Sequence, residues 1–99
     1  MEKNIELYYW RNPQGEEVDF MVRRGTQIVE LIQACYSLER EKTRNREIRA
    51  LLKAGKEFGC KKLTILTLRE DKEEMHEWFG IKGVITYKPI AKWLLESTY

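Results

Sequence analysis

IELYYWRNPQGEEVDFMVRRGTQIVELIQACY, Ile5 to Tyr36, decides the fold of this chain. It holds three apolar-rich runs separated by two short clusters of turn residues. Ile5–Arg11 is aromatic and strand-like, and Asn12-Pro13-Gln14-Gly15 stops it. Glu16–Arg24 then alternates, with Val18, Phe20 and Val22 on one side and Glu17, Asp19, Met21 and Arg23 on the other. Gly25 and Thr26 make the next turn. Gln27–Tyr36 follows, with Ile28, Glu30, Ile32, Ala34 and Tyr36 on one face and Val29, Leu31, Gln33 and Cys35 on the other. Three strands joined by such short turns form an antiparallel meander. The meander contains an anomaly. An acid, Asp19, sits in the second strand, and an amide and a thiol, Gln33 and Cys35, sit inside the apolar third.

Downstream the period changes. Ile48, Leu51, Leu52 and Phe58, with Ala50 and Ala54 nearby, fall at helical spacing over Thr43–Phe58. Thr43 is placed to cap the start and Gly59 to stop the end. Lys62–Leu68 (KLTILTL) is nearly continuous apolar sequence, the pattern of a strand covered on both faces. Coming straight after a helix, it is expected in a parallel position. Glu70–Gly80 (EDKEEMHEWFG) is polar with a small apolar end and reads as a short helix or loop. Gly83–Tyr87 reads as a last strand and Lys88–Glu96 as a short helix with Pro89 at its first position. The order β-β-β-α-β-(α)-β-α predicts an α/β chain, a mixed sheet with helices packed on it.

Totals limit the function. Ninety-nine residues make one domain. No run approaches the roughly 18 apolar residues of a membrane span, and MEKNIELYYW lacks the layout of an export signal, so a cytoplasmic protein without a membrane partner is expected. Cys35 and Cys60 are 25 apart without a CxxC, as expected of free buried thiols in a reducing compartment. A zinc site is not expected, because His76 is the sole histidine and its neighbours are acidic. The net charge of +2 is unevenly placed: residues 37–62 hold nine Lys/Arg against four Glu, and residues 69–80 hold two against five Asp/Glu. The 34% of charged residues, mostly Lys, Arg and Glu, is a composition suited to high temperature.

An aspartate on a strand after a turn, a neighbouring strand bearing the next site positions, then a helix and a parallel strand resemble the PD-(D/E)XK nuclease fold. The chemistry explains the spacing. A divalent cation that activates water wants hard oxygen ligands from adjacent strands, and a lysine two residues after the acid shares its face. More narrowly, YYWRNPQGEEVDFMV, ELIQACY and REIRALLKAGKEFGCKKLTILT are similar to the C-terminal nuclease-like domain, of uncertain function, of archaeal and bacterial AAA+ P-loop ATPases. The resemblance runs nearly the whole length, to VITYKPIAKWLLE. It implies a restriction-endonuclease-like core and an ATPase module upstream. The chain has no GxxxxGK[ST] of its own, so it is expected to be a fragment or a stand-alone copy of such a domain.

Onto that motif Asp19 falls at the metal-binding aspartate. Gln33, Ala34 and Cys35 fall where Glu-x-Lys would stand. Gln33 retains an oxygen without charge, and a buried cysteine does not replace a lysine. The helix that opens the nuclease core has no counterpart before Ile5, and Glu6 is a poor replacement for its acid. Glu30 could supply the missing carboxylate only through a bulge that turns it to the other face; Glu17 shares the Asp19 face and is the better auxiliary. No intact catalytic set and no cofactor are expected, with Mg²⁺ or Mn²⁺ needed only if Asp19, Glu17 and Gln33 still work.

Arg40, Lys42, Arg44, Arg46 and Arg49 gather at the start of the long helix, where exposed N–H groups favour anions. Together with Arg23 and Arg24 they form a candidate surface for a nucleic-acid backbone, DNA included, although pairing with Glu39, Glu41 and Glu47 explains helical arginines equally well. Tyr8, Tyr9 and Trp10 can stack on bases or fill the core. A core without its first helix exposes apolar sheet, so the chain is expected to pair with the ATPase module or with copies of itself. Three readings stand: a catalytically degenerate nuclease-like domain serving an ATPase by nucleic-acid binding or assembly, an active metal-dependent nuclease, and a structural oligomerisation module.

Overall fold

The three runs become strands β1 (Ile5–Arg11), β2 (Glu17–Arg24) and β3 (Gln27–Ala34), followed by helix α1 (Glu41–Phe58). Then come β4 (Leu63–Thr67), β5 (Lys72–Trp78), β6 (Ile81–Pro89) and helix α2 (Ile90–Glu96). The computed structural model describes residues 5–34 and 41–97, with 41–43 as backbone alone. The strands form one six-stranded mixed sheet in the order β1-β2-β3-β4-β6-β5. β1–β2–β3 is the expected antiparallel meander, and α1 carries the chain over to β4, which lies parallel to β3. β6 is parallel to β4, and β5 is antiparallel to β6 at the far edge. The fold is therefore mixed α+β. No described helix is long and apolar enough to cross a membrane.

Each sheet face has its own core. On one face, Ile48, Leu51, Leu52 and Ala54 of α1 meet Val18, Leu31, Leu63, Ile65, Ile85 and Tyr87. Trp10 joins them edge-on to Phe58 at 6.4 Å. On the other face, Val22, Ile32 and Leu66 are covered by Ile90 and Trp93 of the short α2. Glu30 is fully buried there, accepting a hydrogen bond from Thr64 Oγ1 at 2.6 Å and one from Trp93 Nε1 at 3.4 Å. α1 ends as expected, at Gly59, whose φ of +65° is the left-handed conformation that glycine adopts most readily.

Four expectations change. Residues 72–78 form an edge strand and not a helix or loop. Its half-buried positions, Glu74, His76 and Trp78, alternate with exposed ones, and Phe79-Gly80, both at positive φ, turn it into β6. Thr43 lies inside α1, which begins at Glu41, and so does not cap it. Pro89 is extended (φ −57°, ψ 137°) and precedes α2 instead of starting it. Finally, Val18, Phe20 and Val22 do not share a face. Tyr8↔Met21 and Trp10↔Val18 leave one extra residue in β2 at Asp19–Phe20, a bulge. It points both Val18 and Met21 at α1 and sends Val22 to the opposite core. A second bulge in β3, where Val22↔Glu30 is followed by Arg23↔Ile28, turns Ile28 toward the α1 side. Glu30 stays opposite to Gln33.

Candidate functional site

The bulge in β2 interrupts its ladder with β3 beyond Phe20↔Ile32. Backbone groups there need other partners, and side chains provide them. The Gln33 carboxamide oxygen accepts from the Asp19 N–H at 3.0 Å, while its nitrogen donates to the Glu17 carbonyl at 2.7 Å and more weakly to the Glu47 carbonyl of α1 at 3.4 Å. The Asp19 carboxylate in turn accepts from the Ala34 N–H at 2.9 Å. A carboxamide is chemically a peptide group, with one acceptor and donors on the same plane. Gln33, 2% exposed, thus extends the β2–β3 pairing by two strand positions and ties it to α1.

The two residues open onto a cleft of about 260 Å³ lined also by Gly15, Glu17, Arg46 and Glu47. The structure therefore brings Asp19, Glu17 and Gln33 together, as their places in the sequence predict; Cys35 lies outside the described residues. It adds one group missed in the sequence, Glu47, and sets Arg46 of the basic candidates beside it. Glu47 comes from α1, and its signal was its place four residues before Leu51, within the buried stripe of the helix. Arg46 is exposed beside it. Glu17 is already engaged: it accepts a hydrogen bond from the Tyr9 hydroxyl and lies 3.9 Å from Arg11. That bond and the nearby carboxylate raise the Tyr9 pKa above its ordinary value. Among the described residues there is no group of three His, Cys, Asp or Glu side chains arranged to hold a metal ion.

The basic residues separate. Arg23 and Arg24 end β2 while Glu17 and Asp19 begin it, roughly 13–23 Å away at about 3.3 Å per residue. Arg23 pairs with Glu6 and lies 5.1 Å over the Tyr8 ring. Arg44 stacks on Tyr87 at 5.0 Å and reaches Glu70 and Glu74 at 3.6 and 3.9 Å. Burial opposes its charge, but Tyr87 and the two glutamates outweigh burial and raise its pKa. Burial raises the Tyr87 hydroxyl as well, against the pull of Arg44. The Lys42 side chain and Arg40 lie outside the described residues. Among the described residues of the candidate set, only Arg46 faces the Asp19 cleft.

A third cluster went unnoticed in the sequence. Glu16, 6% exposed, accepts from Lys53 Nζ at 2.6 Å and Asn12 Nδ2 at 2.8 Å, and pairs with Arg49 at 2.8 Å. Burial pushes its pKa up, yet those hydrogen bonds and charges prevail and hold it below the usual value. The cluster fastens the β1–β2 turn to α1, a structural role. Trp10 is core, whereas Tyr8 and Tyr9 are exposed, at 38% and 58%. Comparison of the chain with protein-family models, with curated proteins and with solved structures gives no match.

Proposed function

We propose that this chain is a PD-(D/E)XK nuclease-like domain, with a restriction-endonuclease-like core, that no longer cleaves and that serves an ATPase by assembly. One observation carries the assembly role: the sheet face beside β1 exposes three large apolar or aromatic side chains to which no described residue gives full cover. Leu7 is paired with Val22 and Phe20 with Ile32, so both share the α2 face; Tyr9 shares it by alternation. These three are 62%, 44% and 58% exposed, and β1 is the edge strand next to them. Exposed apolar surface beside an open edge favours association. A role in assembly is favoured over nucleic-acid binding because Arg23 and Arg44 are ion-paired and stand at opposite ends of the sheet. Loss of the reaction is supported by Gln33 and Asp19, whose polar groups bind backbone where an enzyme would hold metal and water.

In the isolated chain a second copy takes the place of the ATPase module. Sedimentation velocity tests this. The chain is expected to self-associate at micromolar concentration, and Leu7→Glu with Phe20→Glu is expected to return it to monomer. A wild-type chain that stays monomeric at every concentration would sink the reading. The meeting of Asp19, Glu17 and Gln33 at one cleft is the observation on which the second reading rests, an active metal-dependent nuclease. Cleavage of DNA with Mg²⁺ or Mn²⁺, abolished by Asp19→Ala, would establish it in place of the first.

A further inference from the structure

A second groove, of about 530 Å³, lies toward the other end of α1, between that helix, the loop into β4 and the β5–β6 hairpin. Unequal strand lengths create it. β4 pairs with β6 only from Leu63↔Ile85 onward, so Ile81–Val84 have β5 on one side and the groove on the other. Alternate residues of a strand aim both backbone polar groups at the same neighbour. Two of these four residues therefore offer an N–H and a C=O where the sheet would take another strand.

The side chains say what kind of strand. The floor is apolar, from Leu52, Leu63 and Ile81. The rim carries Lys56, Lys61 and Lys82, all exposed. Eight lysine side chains are described. Lys53, Lys62, Lys72, Lys88 and Lys92 each lie within an ion pair. The three without an ion pair or side-chain hydrogen bond among the described residues all line this groove. The negative end of the α1 dipole accounts for Lys56, but Lys61 and Lys82 lie beyond the helix. Surface lysines spread at random along a chain with 16 acidic residues would not collect their unpaired members in one place.

We propose that the groove binds an extended, acidic segment of a partner protein, added as a short strand along Ile81–Val84. Main-chain hydrogen bonds would supply affinity, and alternate side chains specificity. On one side of the added strand an apolar side chain rests on Leu52 and Leu63. On the other it meets Met75 and Val84, with carboxylates set against the lysines. This binding site is independent of the Asp19 cleft and of the apolar face beside β1.

The glycines make the test direct, because four of the six, Gly55, Gly59, Gly80 and Gly83, line the groove. Gly15 lines the Asp19 cleft and Gly25 sits in the β2–β3 turn, so both serve as controls. The ¹⁵N-labelled protein is titrated with a short blocked peptide of alternating glutamate and valine. The four groove amides are expected to shift and Gly15 and Gly25 to stay. Affinity should fall with added salt and drop about tenfold when lysine replaces glutamate in the peptide. Lys61→Glu with Lys82→Glu should weaken binding by about tenfold as well, with the rest of the amide spectrum preserved. A peptide N-methylated at alternate backbone positions should bind about tenfold more weakly, since it cannot complete the ladder. Unmoved groove glycines, equal shifts at Gly15 or Gly25, equal binding of the lysine peptide, or full affinity of the N-methylated one would each overturn the proposal. So would a response to dodecanoate or a single-stranded oligonucleotide without a response to the peptide.

Discussion

Gln33→Glu places a carboxylate where the nuclease motif that the chain resembles has its acid, and it should damage the protein. The wild-type carboxamide donates to the Glu17 carbonyl at 2.7 Å and accepts from the Asp19 N–H at 3.0 Å. A carboxylate keeps the second bond and loses the first, placing a charged oxygen against a carbonyl oxygen with Asp19 nearby. A lost hydrogen bond is worth about 1 kcal/mol, and leaving the Glu17 carbonyl without a donor adds about 1–3 kcal/mol. The expected loss is about 3 kcal/mol, a large part of the roughly 5–15 kcal/mol that holds a domain together. At about 1–2 kcal/mol per molar urea, the unfolding midpoint should fall by about 1.5–3 M at pH 7, read by the fluorescence of Trp10 and Trp78. Burial and Asp19 would raise the pKa of the new carboxyl above its unfolded value. The penalty is therefore full above that raised pKa and shrinks as the pH falls through it, when the protonated group regains an O–H donor for Glu17. A variant as stable as wild type at pH 7, or one that Mn²⁺ stabilises where it leaves wild type unchanged, would refute the clamp and make Gln33 a replaced metal ligand.

Gly55→Ala should destabilise although alanine is the better helix former by about 1 kcal/mol. Its Cβ would come within 2.8 Å of the Cys60 carbonyl oxygen and 3.1 Å of Leu63 Cδ2, and overpacking costs about 1–3 kcal/mol; a rise in urea midpoint would show that the loop yields freely. Glu16→Gln should cost about 1–3 kcal/mol at pH 7, discounted because Arg49 and Lys53 partly reach solvent. Since the folded Glu16 pKa is depressed, its contribution is complete above the ordinary glutamate value of about 4.3 and is lost as pH falls through the lower folded value. The gap between wild type and variant should accordingly close in acid, and a gap unchanged down to pH 3 would contradict the ion cluster. Phe79→Asn should stabilise by about 0.5–1 kcal/mol, because Phe79 is 85% exposed and held at φ +47°, where asparagine is favoured. A lower melting temperature would instead assign Phe79 to its edge-on contact with Trp78 at 4.6 Å.

The meander and α1 were legible because their periods are clean and Gly15, Gly25 and Gly59 mark their ends. β5 was not. KEEMHEW is an edge strand with one face in solvent, so polar residues occupy both sides and mask the alternation. Its hairpin turn, Phe79-Gly80, lacks the asparagine or aspartate that announces such turns. Face assignments failed where the bulges sit, since an extra residue reverses everything beyond it and leaves no mark in the hydrophobic pattern. The meeting of Asp19 with Gln33 was legible from strand adjacency. Glu47 and the Glu16 cluster were not, because their partners come from α1 and only the crossover brings them together. Arg23 and Arg46 looked like one patch for the opposite reason: nearness to the meander in sequence gave no account of which end of it each residue occupies.

The bulge at Asp19–Phe20 also changes what Gln33 means. Comparison with a motif makes the amide a missing acid. Backbone geometry makes it a required amide, because the interrupted ladder leaves a donor on Asp19 and an acceptor on Glu17, and no carboxylate or ammonium side chain satisfies both. Glutamate would serve the donor alone and lysine the acceptor alone. Placing an acid at position 33 without loss would therefore need a second change, a new donor for the Glu17 carbonyl. The acid alone lowers stability, so the clamp itself disfavours a carboxylate at position 33.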